Sequence, residues 1–295
     1  MFSRNTHQNN KAYNCSLKID LVSILIKFLF KFGNNDSFSY RIKSQIAQYT
    51  NSKTFNRFFP FLRRQLLKFY FIKNYVSQKQ WSPKQINLEN CSYTSFSQSG
   101  QDVMAELTRA FCEVESEPIY LELGSGDPVC GSNSYLLEKQ FYWKGISVEL
   151  NPKLVSQFKE IRSNECINAN ALIVNYDYII TNSFSTNHIN YLSLDIDPAI
   201  NSLKVLHQIL TFSELRIDFI TFEHDAYRSW KLIPAISRYL LKKSGYICLK
   251  MNVRARGYGV YEDWWVNKIQ TSKGDLHKLR KTADFIEAFF WIDTE

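Results

Sequence analysis

Residues able to carry chemistry gather in four short stretches of this 295-residue chain. The first, Ile119-Tyr-Leu-Glu-Leu-Gly-Ser-Gly-Asp127, is an apolar run that ends in a Gly-x-Gly turn. Gly124 and Gly126 permit positive φ and let the backbone approach a ligand closely. A dinucleotide fingerprint would continue to a third glycine, but Val129 stands there. The acids Glu122 and Asp127 around the turn would also repel a pyrophosphate; they suit a cationic group such as an α-ammonium or a sulfonium. The second stretch, Trp143–Glu149, ends in an acid twenty-five positions after Gly124. A carboxylate at such a strand tip can accept both ribose hydroxyls of an adenosine. Asn151-Pro152 follows as an N-cap and a proline at the first helical position.

The third and fourth stretches are rich in acids. In Tyr191-Leu-Ser-Leu-Asp-Ile-Asp197, Asp195 and Asp197 have strand spacing and share a face; in Glu223-His-Asp225 the two acids share a face while His224 projects the other way. Neighbouring parallel strands would bring them into one crevice. Oxygen ligands from Asp195, Glu223 and Asp225 would suit Mg²⁺ or Mn²⁺, with His224 or Asp197 as general base. The competing reading gives Asp195 only a cofactor contact and makes His224 a structural residue at the sheet edge. In Asn252–Val260, Arg254 and Arg256 precede two glycines. That loop is either a lid that binds an anionic acceptor or a solvated connection. Trp264 and Trp265 read either as core anchors or as platforms for a sugar ring.

These residues need a scaffold, and from residue 118 onward short apolar runs alternate with helix-like stretches. Strands are expected at Ile119–Leu123, Gly145–Glu149, Glu165–Asn168, Tyr191–Asp195, Asp218–Glu223, Gly245–Met251 and Phe285–Ile292. Helices are expected at Asn133–Gln140, Pro152–Ile161, Ala199–Leu210 and Lys231–Lys243. This alternation indicates an α/β fold on a mainly parallel sheet, with ligands at the carboxyl edge of the strands.

Charge divides the chain. Residues 1–90 carry fifteen Lys/Arg against three Asp/Glu, whereas residues 91–295 carry twenty-one against twenty-five. A basic, aromatic-rich helical extension with a linker (1–90, the linker at 76–95) is therefore expected before a mildly acidic domain (91–295). This split speaks against a uniformly basic nucleic-acid-binding domain. Leu21–Phe32 would span roughly 18 Å as a helix, short of a bilayer core of about 30 Å, and two lysines interrupt it. With Phe55–Lys73 it fits peripheral membrane contact through residues 21–75, or a pair of helices packed on their own protein. Six scattered cysteines without a CxxC pair speak against a disulfide scaffold and a thiolate zinc site, and fit a cytoplasmic protein.

Taken in order, these motifs resemble the class I S-adenosylmethionine-dependent methyltransferases, and within them the FkbM-type family. The matching elements are Phe96–Asp102, Glu122–Asp127, Ser132–Glu138, Trp143–Glu149 with Asn151-Pro152, Tyr191–Pro198 and Phe222–Asp225. The resemblance covers about residues 96–265 and implies a seven-stranded Rossmann-like sheet with S-adenosylmethionine over the carboxyl ends of its first strands. Glu122, Gly124, Gly126 and Asp127 would line the methionine end, Glu149 the ribose, Asp195 the cofactor and Asn170 the adenine. Ser97, Gln98 and Gln101 would either close over the methionine carboxylate or cap a helix. The implied reaction is O-methylation of a hydroxyl on a glycan, glycolipid or similar small acceptor. Alternatives from other classes are a noncatalytic methyltransferase-fold binding module and a nicotinamide-dependent oxidoreductase, which Val129 and the acidic turn disfavour. No Asn/Asp-Pro-Pro-aromatic tetrapeptide of nucleic-acid methyltransferases is found in the sequence.

Overall fold

Ile119–Leu123 (β3) is apolar but for one acid, and all five of its residues are buried. A strand of that kind belongs in the middle of a sheet covered on both faces. It pairs in parallel with Lys144–Glu149 (β4) on one side and His188–Leu194 (β6) on the other. Beyond β4 lies Glu165–Asn168 (β5), and beyond β6 lies Arg216–Glu223 (β7), again parallel. Gly259–Asn267 (β9) and Tyr246–Ala255 (β8) complete the sheet in antiparallel pairings, giving the order β5-β4-β3-β6-β7-β9-β8. A separate antiparallel hairpin joins Lys84–Leu88 (β1) to Cys91–Ser95 (β2). The computed structural model describes residues 82–88, 91–111, 117–227, 232–255, 259–270 and 273–292. All of them fall in one compact unit, Lys73–Glu295. The apolar-basic runs expected at residues 21–75 lie outside the described residues. Among the described residues no helix is long and apolar enough to cross a membrane.

Among the described residues seven helices complete the α/β alternation: Gln101–Phe111 (α1), Tyr135–Phe141 (α2), Pro152–Ile161 (α3), Tyr176–Phe184 (α4), Ala199–Phe212 (α5), Leu232–Lys243 (α6) and Lys273–Ile292 (α7). The start of α3 is the one its sequence specifies: Asn151 accepts from the Lys153 N–H, and Pro152 occupies the first turn. One core cluster joins Tyr120, Tyr191, Phe219 and Trp264 of the sheet with Val103 and Met104 of α1, Leu136 and Leu137 of α2, and Leu279, Ala283, Ile286 and Phe290 of α7. Gly145 makes room there, because a Cβ at this position would collide with the Tyr120 ring on the neighbouring strand.

Several expectations change. Phe285–Ile292 is the last part of α7, not a strand. Its buried positions 279, 283, 286 and 290 follow the helical period, whereas its last eight residues alone read as a short apolar run. The seventh strand is β9 instead. The loop expected at 252–260, read as a lid or a solvated connection, is largely strand: β8 runs on to Ala255 and β9 begins at Gly259, with 256–258 outside the described residues. The expected linker holds the β1–β2 hairpin, whose paired Ile86 and Tyr93 belong to the core cluster. Helices α1 and α4 were not expected.

Candidate active site

Strand order creates the site. The chain winds outward from β3 through β4 to β5, then returns to pair β6 on the other side of β3. At such a switch point the connections diverge and leave a crevice at the carboxyl ends of the strands. Ser147, Glu122, Ser193 and Thr221 lie side by side on β4, β3, β6 and β7. Two residues further on, the same face carries Glu149, Gly124, Asp195 and Glu223, and Glu223 is paired with Glu262 of β9. The ladder bonds Gly124 N–H to Val148 O (2.9 Å) and Asp195 N–H to Leu123 O (3.0 Å) carry the alignment past the strand ends. The result is a row of acids with a glycine among them.

Both glycines of the turn have positive φ, +84° and +59°. A Cβ on Gly124 would collide with the Asp195 carbonyl oxygen, so this glycine lets the ends of β3 and β6 close together. Gly126 differs: nothing lies within 4 Å of the place a Cβ would take. Its N–H donates to Glu149 Oε2 (3.1 Å), while Glu149 Oε1 accepts from the Asn151 N–H (2.7 Å). A carboxylate offers about four acceptor directions, so Glu149 is fixed by two backbone donors and keeps capacity for a ligand diol. Asn168 Nδ2 donates to the carbonyls of Glu149 and Leu150, which ties the end of β5 to the same place.

Other residues implied by the resemblance take supporting positions. Glu122 is buried under the turn and does not line its open side; Ser134 and Ser147 hydroxyls donate to its Oε2 at 2.8 and 2.7 Å. Burial pushes its carboxyl up against the opposing pull of Arg162 and the two serines. Asp127 Oδ1 accepts from the N–H groups of Val129 and Cys130 and shapes the loop. Asn170 stands at the end of β5, exposed, where its Oδ1 caps the 3-10 turn Ala171–Ile173. Ser97 takes the capping alternative. Its hydroxyl donates to Asp102 Oδ1 (2.7 Å) and accepts from the Gly100 N–H (3.0 Å). Gln98 lies beside Gly131 across a single bridge between Ser97 and Gly131. Gln101 turns inward, with Nε2 on Tyr261 Oη (2.6 Å) and near Glu262 Oε2 (3.4 Å).

Arg162, which carries no motif, anchors the whole loop. Its buried guanidinium donates to Glu138, to the Pro128 carbonyl, to Tyr120 Oη and to the hydroxyls of Ser132 and Ser134. The plane of charge also lies over the Phe158 ring, 4.5 Å from its centre. Removing one partner from a buried ion pair of this kind costs about 3–5 kcal/mol, because the other charge is left uncompensated.

The acids of β6 and β7 do come together. Glu223 hydrogen-bonds both Asp195 and Asp225. Burial first, and then these two acid neighbours, hold the Glu223 carboxyl well above the usual carboxylate range. Burial likewise raises Asp195. Glu262, overlooked in the sequence beside its tryptophans, is pushed up to about 8, chiefly by burial and against hydrogen bonds from Trp264 and Gln101. Only the antiparallel register of β9 on β7 brings it to Glu223. Asp197 is exposed beyond this group. The expected metal cage is not formed: among the described residues no three His, Cys, Asp or Glu side chains are placed to hold an ion. The carboxyls bond to one another instead of opening around a common point.

His224 faces away from the acid row, as alternation along the strand requires. It is fully buried, its Nδ1 accepts from the Ala226 N–H (3.2 Å), and its Nε2 lies 3.4 Å from Asp263 Oδ1. Asp263 is gripped by Arg238 at 2.6 and 2.9 Å and accepts from the Asn252 N–H. Burial alone would raise Asp263, but His224 and Arg238 outweigh it and lower it. Arg254, considered for an acceptor anion, instead pairs with Glu287 of α7 at 2.6 Å.

No protein-family model matches the chain, and no curated protein matches it. Solved structures resemble it at low similarity. Human methyltransferase-like protein 13 in complex with SAH aligns over 64% of this chain and 90% of its own, with 14% identity and a TM-score of 0.40. Aeropyrum pernix fibrillarin with natively bound S-adenosyl-L-methionine aligns over 65% and 86%, with 14% identity and a TM-score of 0.39. MtNAS in complex with MTA and tNA aligns over 57% of this chain and 60% of its own, with 10% identity and a TM-score of 0.34. The chain thus spans about three fifths of the length of that last protein. Likeness at these scores carries no weight for function, and the fold, a seven-stranded mainly parallel α/β sheet, stands on its own strand order and register.

Proposed function

We propose that the chain is an S-adenosylmethionine-dependent methyltransferase, with the cofactor across the carboxyl ends of β3 and β4 and the acceptor over β6 and β7. One observation carries this reading: Glu149, oriented by the Gly126 and Asn151 N–H groups, stands beside the open side of Gly126 at the switch point of the sheet. That arrangement fits a ribose diol beside a turn with no bulk on it. The crowd of carboxyls next to it fits a cationic sulfonium better than a pyrophosphate.

When bound, the cofactor supplies a methyl carbon on a sulfonium leaving group. The residues of this chain must then hold the acceptor in line, since alignment provides much of the rate. We favour a hydroxyl on a glycan, glycolipid or similar small molecule as acceptor, following the FkbM-type resemblance. A hydroxyl releases its proton as its oxygen bonds to carbon. Glu262, pushed up to about 8, has a basicity matched to that task near neutral pH. His224 faces Asp263 and fits a positioning role for the Glu223–Asp225 turn better than that of the base.

Titration calorimetry with S-adenosylhomocysteine tests the proposal. Micromolar binding that weakens at least tenfold in Glu149→Ala is expected, with no binding of NADH. Binding of NADH but not adenosylhomocysteine would favour the oxidoreductase. Binding of adenosylhomocysteine without methyl transfer to any of a panel of hydroxyl acceptors would favour a binding module.

A further inference from the structure

The edge of the sheet opposite the candidate site has a character of its own. β8 pairs antiparallel with β9, and β9 antiparallel with β7, so β7 and β8 run the same way and β9 ends beside their starts. Bonds across that end tie it together. Lys268 N–H donates to Gly245 O and Gly245 N–H to Lys242 O, both at 3.2 Å. Tyr246 Oη and Asn267 Nδ2 donate to Ile217 O at 3.2 and 3.3 Å. This amino edge therefore gathers Arg216 at the start of β7, the end of α6, and the 3-10 turn Lys268–Gln270 that leads into α7.

Charge is segregated between the two edges. Asp127, Glu149, Asp195, Asp197 and Glu223 stand at the carboxyl edge, whereas the amino edge presents Arg216, Lys242, Lys243 and Lys268, all exposed, with Lys278 exposed on the part of α7 that leaves it. None of these five cations forms an ion pair among the described residues. Basic residues further along β8 and α6 behave differently: Arg238 is held by Asp263, Lys250 by Asp284, and Arg254 by Glu287. The acids near the amino edge do not balance the five. Glu214 is exposed, Asp275 is half-buried, and Asp218 is turned inward onto His188. Lys242 and Lys243 complement the carboxyl end of α6, but that role does not extend to Arg216 or Lys268.

Apolar side chains stand among these charges. Ile269, next to Lys268, is 92% exposed, and Phe212, four residues before Arg216, is 75% exposed. Single apolar residues on a surface need no explanation. Two of them on one edge with unpaired cations have the composition of a membrane-interface surface, which joins apolar insertion to attraction for anionic headgroups. A nucleic acid would favour aromatic platforms for its bases, and Ile269 offers none.

We propose that the amino edge of β7, β9 and β8 is a docking surface for a membrane carrying anionic lipids. Arg216, Lys242, Lys243, Lys268 and Lys278 meet the headgroup charge, and Ile269 and Phe212 enter the interface. The acids of the carboxyl edge are repelled by the same lipids, so the crevice faces water. This inference is independent of the methyltransferase reading.

Co-sedimentation of the full chain with vesicles tests it, using phosphatidylcholine alone and phosphatidylcholine mixed with phosphatidylserine. Binding is expected with the mixed vesicles only. Each cation near an anionic surface contributes roughly a factor of five. Lys242→Gln/Lys243→Gln/Lys268→Gln should therefore weaken binding by about 100-fold. Ile269→Ser should weaken it by about tenfold, a loss that persists at high salt because apolar insertion is not screened. Lys153→Gln/Lys159→Gln, on the exposed side of α3, should leave binding unchanged. All these positions are exposed, and matching thermal unfolding confirms that each variant folds. Residues 1–90 are unaltered in every variant, so full binding by the triple variant overturns the proposal and assigns the attraction elsewhere. Equal weakening by the α3 pair, or no binding to the mixed vesicles, overturns it too. So does single-stranded RNA binding that the triple variant loses while it keeps the vesicles.

Discussion

Gly124 and Gly126 look interchangeable in a Gly-x-Gly turn, yet their surroundings assign them different work. A side chain on Gly124 must push against the Asp195 backbone and adopt φ +84°, so Gly124→Ala is expected to cost about 2–5 kcal/mol of stability. Gly126 has open space, and Gly126→Ala should cost only about 1–2 kcal/mol, from its φ of +59°. Its methyl group would nevertheless stand where the proposed ligand lies, so adenosylhomocysteine binding should fall by an order of magnitude or more. Urea denaturation and calorimetry on the two variants check this. Similar stability losses in both would contradict the division of roles. The glycines and Glu149 are visible in the sequence because the turn is local and the strand tip follows at a fixed distance. The supports of the turn are not: Arg162 lies 38 positions after Gly124 and in no motif. Its relevance appears only once α3 is folded back along the sheet.

At the scale of elements, α7 shows how a short window misleads. Phe285–Ile292 is aromatic and apolar enough to pass for a strand, and only the longer spacing of Leu279, Ala283, Ile286 and Phe290 shows the helix. Ile286 packs close to Gly100 at the start of α1, where a Cβ would have no room. Ile286→Ala should therefore cost about 2–5 kcal/mol. Phe285→Ala, at a position 49% exposed, should stay within about 0.5 kcal/mol. A large loss at Phe285 in the same urea series would count against the helical face described. The parallel strands β3 to β7 were readable because each is an apolar run bounded by turn residues. The order of β8 and β9 was not, since their pairing is with each other and with β7, through a register no local pattern encodes.

For the molecule as a whole, the acid row sets a pH dependence of a particular sign. Glu262, Glu223 and Asp195 bind protons more tightly folded than unfolded. Their contribution is complete below the ordinary carboxylate range and is lost as pH rises, through about 8 for Glu262. Asp263 and Glu138 act oppositely: their carboxyls are lowered, and their contribution disappears as pH falls below the ordinary range. Stability should thus peak in mildly acidic solution and decline between about pH 5 and 8. Glu262→Gln should flatten the upper decline while leaving the acid side unchanged. Urea midpoints measured from pH 4 to 9 report both limbs, and an unaltered alkaline slope in Glu262→Gln would show that Glu262 does not carry it.

The sequence alone determined the α/β class, the positions of five parallel strands, the glycine turn, the carboxylate Glu149 at the tip of β4 and the acids at the ends of β6 and β7. All of these depend on local periodicity or on a spacing within one strand–turn–helix unit. Tertiary structure alone decided the rest. It placed Glu262 opposite Glu223, turned His224 toward Asp263, and knitted Asp195, Glu223 and Asp225 together by hydrogen bonds; among the described residues it formed no metal cage and left Asn133 Oδ1 buried without a partner. Each of these is a contact between residues on separate elements, or the lack of one. Strand register and helix docking fix such contacts through the packing of a whole sheet, and that packing is a property of many distant residues at once.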